Sequence, residues 1–343
     1  MSDVTFSAPR SFRQAAARRI QVLGALAALV LGLMLLTLSC GRGCLPPGDV
    51  WAALTGAPGA NASFVVTDLR LPRAVMGLLA GASFGLGGVA FQIMLRNPLA
   101  SPDIIGISAS AGAAAVFAIV ILALDGWLVS LVAVAAGLAV AAMIWALSSR
   151  RGAAGARLIL IGIGVSAMLD SVTAYVLLEA PAWDRAEAMR WLTGSLNGMQ
   201  LVQALPVAGA LLVFGGLLAV TARDLEVLRL GDDTAEALGV RADATRLRVT
   251  LAAVGLVAIA TAATGPIAFV AFLSGPIAAR LLPGTTGLLL GAGLVGALLV
   301  IAGDFVGQFL LPARLPVGVV TGAVGAPFLL YLIVRANRNG GTL

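Results

Sequence analysis

Two carboxylates lie inside otherwise apolar runs, Asp170 in LILIGIGVSAMLDSVTAYVLL and Asp304 in GALLVIAGDFVGQFLL. An acid in such surroundings is costly, and it serves to meet a passing solute, relay a proton or hold a structural partner. Two acids could also share a proton as an aspartyl-protease dyad. Asp304, however, follows Ala302-Gly303 and not the Gly-x-Gly that such enzymes usually show. The chain has no histidine, which removes His-based triads, imidazole proton relays and the usual zinc sites. Its two cysteines, Cys40 and Cys44, are too few for a disulfide framework or a four-thiolate metal site, though they could close one small loop. There is no lysine and no G-x-x-x-x-G-K-[ST], so the chain has no nucleotide site of its own. The chemistry left is that of conducting a solute.

The loop motifs agree. Arg70-Leu71-Pro72-Arg73 opens one apolar run, and Asn97-Pro98-Leu99-Ala100-Ser101-Pro102-Asp103 joins that run to the next. Leu315-Pro316 and Gly325-Ala326-Pro327 are expected to break the last run. Paired prolines stop helices and stiffen the connection between them. Broken helices at membrane depth are tolerated where they are buried in protein or line an aqueous path.

The elements that must position these residues follow from composition. The 343 residues are 60% hydrophobic and 11% charged, against roughly 25% charged in ordinary globular proteins. Too little polar surface remains to cover a soluble domain of this size. An all-α polytopic membrane protein is expected, one permease domain over 1–343 with about ten spans. They are placed at 20–38, 74–95, 104–123, 127–147, 158–178, 201–220, 247–263, 267–282, 288–311 and 317–334, and 42 glycines predict close packing through small residues.

All 22 basic residues are arginine. With a cytoplasmic N-terminus, 16 fall on the inner side; Arg42, Arg70, Arg73, Arg185, Arg190 and Arg314 fall outside. That bias sets both termini in the cytoplasm, 1–19 forming a tail, and explains the net charge of +6 without nucleic acid. Arginines followed by an apolar run ending in Cys40-Gly41 also look like a lipoprotein signal; a retained helix keeps the even span count. Ala156-Arg157-Leu158 and Ala313-Arg314-Leu315 open the fifth and tenth spans, consistent with two inverted five-helix repeats. One stretch differs from its surroundings: 223–246, RDLEVLRLGDDTAEALGVRADATR, is densely charged. Its acidic start and Gly239 predict a short helix, and we read it as a docking element for a partner.

From about Asp68 onward these motifs resemble the FecCD/BtuC-like permease subunits of ABC importers for ferric siderophores, haem and cobalamin, and most of all the ferric catecholate-siderophore permeases. The resemblance rests on RLPR (70–73), Gly81-Ala82, Gln92, RNPLASPDIIG (96–106), LGDDTAEALGV (230–240), GPIAFVAF (265–272) and LPVGVVTGAVGAPF (315–328). It implies a dimer of ten-helix subunits in a bacterial inner membrane, with the path at the interface. A cytoplasmic ATPase pair holding ATP and magnesium and an extracytoplasmic siderophore-binding protein would complete it. Residue by residue, Arg70 and Arg73 match arginines that meet acids on the binding protein. Asp232, Asp233, Ala235, Leu238 and Gly239 match the coupling helix that seats in the ATPase. Gly155 and Ala156 match a cytoplasmic gate, and Gln92, Asn97, Pro98, Gly265, Pro266, Ser274 and Pro276 fall in the pathway motifs. Asp304 stands where the family often has a structural aspartate, whereas Asp170 has no counterpart and would line the path or pair with an arginine.

The chain departs from the family in three places. The eighth span lacks the Pro-His of many members, Arg314 replaces a glutamate before Leu-Pro-Val-Gly, and Gln308 stands for a third docking arginine whose part Arg314 would take. The first departure, with Gly265-Pro266-Ile267, resembles one of two unlike permeases and points toward a heterodimer. The expected function is therefore import of a ferric siderophore by alternating access. The alternatives are haem or cobalamin as cargo and, from other classes, an intramembrane aspartyl protease or an ion-coupled carrier.

Overall fold

The computed structural model describes residues 10–41, 43–57, 63–148, 154–282, 284 and 286–338. Arg42, Arg150 and Arg151, which entered the charge distribution, lie outside the described residues, as do residues 1–9 of the N-terminal tail, while 10–19 are helical. In chain order the helices are α1 (Arg10–Ser39), α2 (Pro47–Leu54), α3 (Leu71–Met94), α4 (Ile107–Val120), α5 (Gly126–Ser148), α6 (Ala154–Glu179), α7 (Ala182–Leu192), α8 (Ala204–Ala210), α9 (Gly216–Leu228), α10 (Asp232–Ala237), α11 (Ala242–Thr264), α12 (Val270–Leu281), α13 (Leu288–Phe305) and α14 (Val317–Arg338). π-helical turns at Phe64–Arg70, Leu211–Gly215 and Val306–Leu310 lengthen α3, join α8 to α9 and extend α13. The described residues contain no β-strand, and ten apolar helices correspond to the ten expected spans.

Seven of them are long and apolar enough to cross a membrane. Helix α4, with 14 residues, and α12, with 12, rise only about 18–21 Å at 1.5 Å per residue, short of a hydrocarbon core of about 30 Å. The predicted third and eighth spans were therefore too long. A 3₁₀ turn at Pro102–Ile105 and left-handed Gly106 precede α4, and left-handed Phe269 precedes α12. Ser101 caps that 3₁₀ turn, its hydroxyl accepting from the Asp103 amide. The expected break at Gly325-Ala326-Pro327 is absent: Pro327 lies inside a continuous α14. Neighbouring groups in a bundle can satisfy what such a proline frees. Pro316 instead sits just ahead of the first residue of α14, where a missing N–H costs nothing.

The bundle is built around α3 and α11, whose apolar windows are each 72% buried, while that of α6 is 11% buried. Water-driven burial does not hold helices together in lipid, so close backbone contact must. Helix α3 achieves it with Gly81, Gly85 and Gly88. A Cβ at Gly81 would stand 2.5 Å from the Gly296 carbonyl of α13, and one at Gly85 2.1 Å from that of Ala292. At Gly88 it would reach 1.8 Å from the Ala271 carbonyl of α12. Helices α3, α12 and α13 thus form one interlocked body.

Candidate functional site

The described ion pairs lie at the two ends of that body. At one end Cys40 and Cys44 form a disulfide. Arg70, at the end of the π-helical turn, clasps this loop, donating from Nη1 to the Leu38 carbonyl at 2.8 Å and from Nη2 to that of Gly43 at 3.0 Å. Three residues on, Arg73 Nε and Nη2 donate to the two carboxylate oxygens of Asp304 at 2.5 and 2.7 Å. The Asp304 side chain is 3% exposed and that of Arg73 15%. A planar guanidinium meeting a carboxylate in two parallel bonds is the geometry in which a buried pair is held best. Both oxygens of Asp304 are therefore engaged by Arg73. Arg314 is exposed, and Gln308 is buried with its amide donating to the Leu315 carbonyl at 3.2 Å. Of the three arginines expected to dock a partner, Arg70 and Arg73 are engaged within the chain and Arg314 presents its side chain outward.

Gly265 and Pro266 separate α11 from α12 on this side. Gly265 takes φ +72°, and a Cβ there would stand 2.3 Å from the Trp191 carbonyl. Only glycine fits that conformation beside that neighbour. Farther along, Pro276 inside α12 has no N–H to give the Phe272 carbonyl four residues back. Gln92 of α3 supplies one, its Nε2 donating to that carbonyl at 2.9 Å. Its Oε1 fills the space beside Gly275, where a Cβ would lie 1.8 Å away. Gln92, Gly275 and Pro276 are thus one interlocking joint, and Ser274, fully buried, donates to the Val270 carbonyl at 2.6 Å. Replacing Gln92 with Met keeps the volume and removes the donor. The orphaned carbonyl is expected to cost about 1–3 kcal/mol, seen as a lower thermal unfolding midpoint in detergent.

At the opposite end a cavity of about 320 Å³ opens beneath this joint, lined by Gln92, Arg96, Asn97, Pro98, Arg229 and Pro276 among others. Asn97 starts the turn there, its Oδ1 accepting from the Leu99 amide at 2.9 Å. Arg96 closes α3 at φ +52°, a left-handed conformation that costs a non-glycine residue roughly 1–2 kcal/mol. Its guanidinium reaches Asp232 at 3.1 Å, and Arg246 of α11 meets both oxygens of Asp232 at 2.6 and 2.7 Å. Helix α10 stands between left-handed Gly231 and Gly239. Its end has the paired bonds of a Schellman cap, Val240 N–H to the Ala235 carbonyl and Gly239 N–H to that of Glu236, both 2.9 Å. Ala235 is buried against Leu228 and Ala242, while Asp233, Glu236 and Gly239 are exposed and Leu238 is 62% exposed.

Hydrogen bonds from Arg246, and then the charges of Arg246 and Arg96, hold the Asp232 carboxyl below its ordinary range against an opposing effect of burial. A depressed folded pKa means that the seat of α10 is at full strength above the ordinary carboxylate range and weakens as pH falls through the folded value. Amide protection of 234–239, corrected for intrinsic exchange, should be level from about pH 8 to about pH 5 and drop only at more acidic pH.

Helix α6 opens with Ala154, Gly155 and Ala156. Asp170, near its middle, is exposed, and no described arginine pairs with it. Sequence reasoning missed Arg96 and Arg246 as partners of Asp232, and Gly275 and Phe272 as partners of Gln92. The two glycines flanking an acidic helix and the Gly-Pro at 275–276 are the only local signals of them.

Ten apolar helices, seven of membrane-spanning length and three with shorter apolar stretches, with a clamped pair at one end and a displayed helix at the other, define a polytopic membrane transport protein. The FecCD transport family model matches residues 28–335, and the chain belongs to that family. It is 39% identical over 302 residues to the ferric enterobactin transport system permease protein FepG of Escherichia coli (strain K12), a match covering 88% of this chain and 92% of that one. Over 314 residues it is 39% identical to the achromobactin transport system permease protein CbrC of Dickeya dadantii (strain 3937), covering 90% of each. A metal-chelate type ABC transporter solved in an inward-facing conformation aligns with a TM-score of 0.78 at 25% identity, over 92% of this chain and 98% of that one.

Proposed function

We propose that the chain is the membrane-spanning permease subunit of an ATP-driven importer that passes a ferric siderophore into the cytoplasm of a bacterium. The observation that carries this reading is α10: a capped helix seated on Ala235 presents Asp233, Glu236 and Leu238 outward. A carrier driven by an ion gradient has no use for such a docking knob. A cytoplasmic ATPase pair holding ATP and magnesium would receive it, and a second permease, unlike this one, would complete the path. The names of FepG and CbrC support the siderophore as cargo.

Orientation follows from the arginine bias and from the disulfide, which belongs on the side away from the reducing cytoplasm. Both termini and α10 are then cytoplasmic. The outer face around Arg70, Arg73 and Arg314 receives the binding protein, with Arg314 the exposed charge that steers it. Asp170, exposed at membrane depth, faces the path or the second subunit, since lipid would not accept it. Gly155 and Ala156 lie where α6 meets the cytoplasm, as a gate requires.

Uptake of radioactive iron from a panel of siderophores, with haem and labelled cobalamin alongside, in cells with and without this chain tests the reading. Loss for one ferric siderophore is expected. Loss of haem or cobalamin uptake alone would replace the cargo, and transport that survives deletion of 232–239 would reject the ATPase-driven mechanism.

A further inference from the structure

A residue that docks a partner should face outward, yet the half-exposed Asp232 carboxylate is turned toward Arg246 and Arg96. Its oxygens are taken by Arg246 at 2.6 and 2.7 Å and by Arg96 at 3.1 Å. Asp243 is the only other described acid near these arginines, 3.9 Å from Arg246. The two covalent links of α10 to its neighbours pass through Gly231 and Gly239 at φ +109° and +84°, joints that bend easily. Beside the apolar seat of Ala235, the ion pairs are the polar connection of α10 to α3 and α11. On the far side of Arg96, α3 cannot bend to absorb a displacement, because its backbone is locked against α12 and α13 at Gly81, Gly85 and Gly88. It runs on to Arg73, which grips Asp304 in α13 at the opposite end.

We infer that Asp232 is a positioning residue that transmits the movement of α10 into α3 and α11 through Arg96 and Arg246. The inference rests on the importer reading and deepens it. Asp233, Glu236 and Leu238 hold the partner, whereas Asp232 pulls on the spans. A bond between a carboxylate and two guanidinium groups resists both push and pull, which a purely apolar seat on Ala235 does not.

The assembly purified from its own cells through a tag on this chain, and reconstituted in lipid, tests the inference with Asp232→Asn, Asp232→Glu and Arg96→Gln. Asp232→Asn is expected to retain the co-purifying ATPase and its ATP turnover. The amount of labelled ferric siderophore delivered per ATP should drop several-fold, up to about fivefold, the size of losing a half-exposed ion pair. Arg96→Gln should shift the ratio the same way, and Asp232→Glu should restore most of it. Exchange of the 234–239 amides, read on the chain alone, should quicken in Asp232→Asn. Loss of the ATPase itself from Asp232→Asn would make Asp232 a docking residue and overturn the inference, as would an unchanged delivery ratio or unchanged exchange. A native chain that retains no ATPase would instead reject the importer reading and this inference with it, an outcome told apart because exchange on the chain alone would still report the tether.

Discussion

Arg73→Leu is expected to destabilise the chain by about 3–5 kcal/mol, the range found when one member of a buried ion pair is removed. The cost arises from what stays behind. Asp304 is 3% exposed, its two oxygens are both committed to Arg73, and no other described cation is paired with it. Without the guanidinium the carboxylate must take up a proton or draw water into the bundle, and both loosen the α3–α13 contact. Arg73→Leu combined with Asp304→Leu should recover most of the loss, because a pair removed as a unit leaves no stranded charge. A double-mutant cycle on denaturant unfolding in detergent measures this. Additive losses would show that the two residues act independently and that the pair does not hold this end together. Lys at position 73 should rescue only in part, since an ammonium cannot make the paired bonds.

Gly88→Ala carries the second large effect. A single added carbon would lie 1.8 Å from the Ala271 carbonyl, well inside contact distance, and that obstacle is backbone. No rotamer change can move it, so α3 and α12 must part. Overpacking a core typically costs about 1–3 kcal/mol and occasionally more, and the rigid obstacle puts Gly88→Ala at or above the top of that range. Gly85→Ala, 2.1 Å from the Ala292 carbonyl, should act alike against α13. Gly164→Ala on α6 is the control. Nothing lies within 4 Å of its Cβ position, and alanine is favoured over glycine in a helix by about 1 kcal/mol. Membrane abundance and thermal midpoint of the three variants give the comparison; equal behaviour of Gly88→Ala and Gly164→Ala would refute the close approach.

Both predictions concern positions whose residue type was conspicuous in the sequence and whose partner was not. The glycines of α3 and the aspartate in an apolar run stand out by composition. The Gly-Pro pairs and the charged stretch at 223–246 stand out by contrast with their surroundings, and α10 forms where the charge pattern placed it. The failures are equally physical. Pro327 reads as a break because proline removes a local hydrogen bond, but a packed bundle can make up that loss. The third and eighth spans were drawn too long because apolar residues next to Gly106 and Phe269 look the same whether helical or irregular.

What the sequence determined by itself is what lipid and local chemistry impose. Apolar runs of about 20 residues must become helices, since no water is present to satisfy the backbone. Prolines in the first turn mark where α2 and α3 start. Only the tertiary structure decided how charges and carbonyls are satisfied. Arg73 meets Asp304 across 231 positions, Gln92 meets the Phe272 carbonyl across 180, and Arg96 meets Asp232 across 136. A hydrogen bond depends on a few ångströms of distance and on direction, and neither is encoded in the spacing of residues so far apart along the chain. They become neighbours through the packing of α3 against α12 and α13, and that packing is set by glycines whose partners lie in other helices.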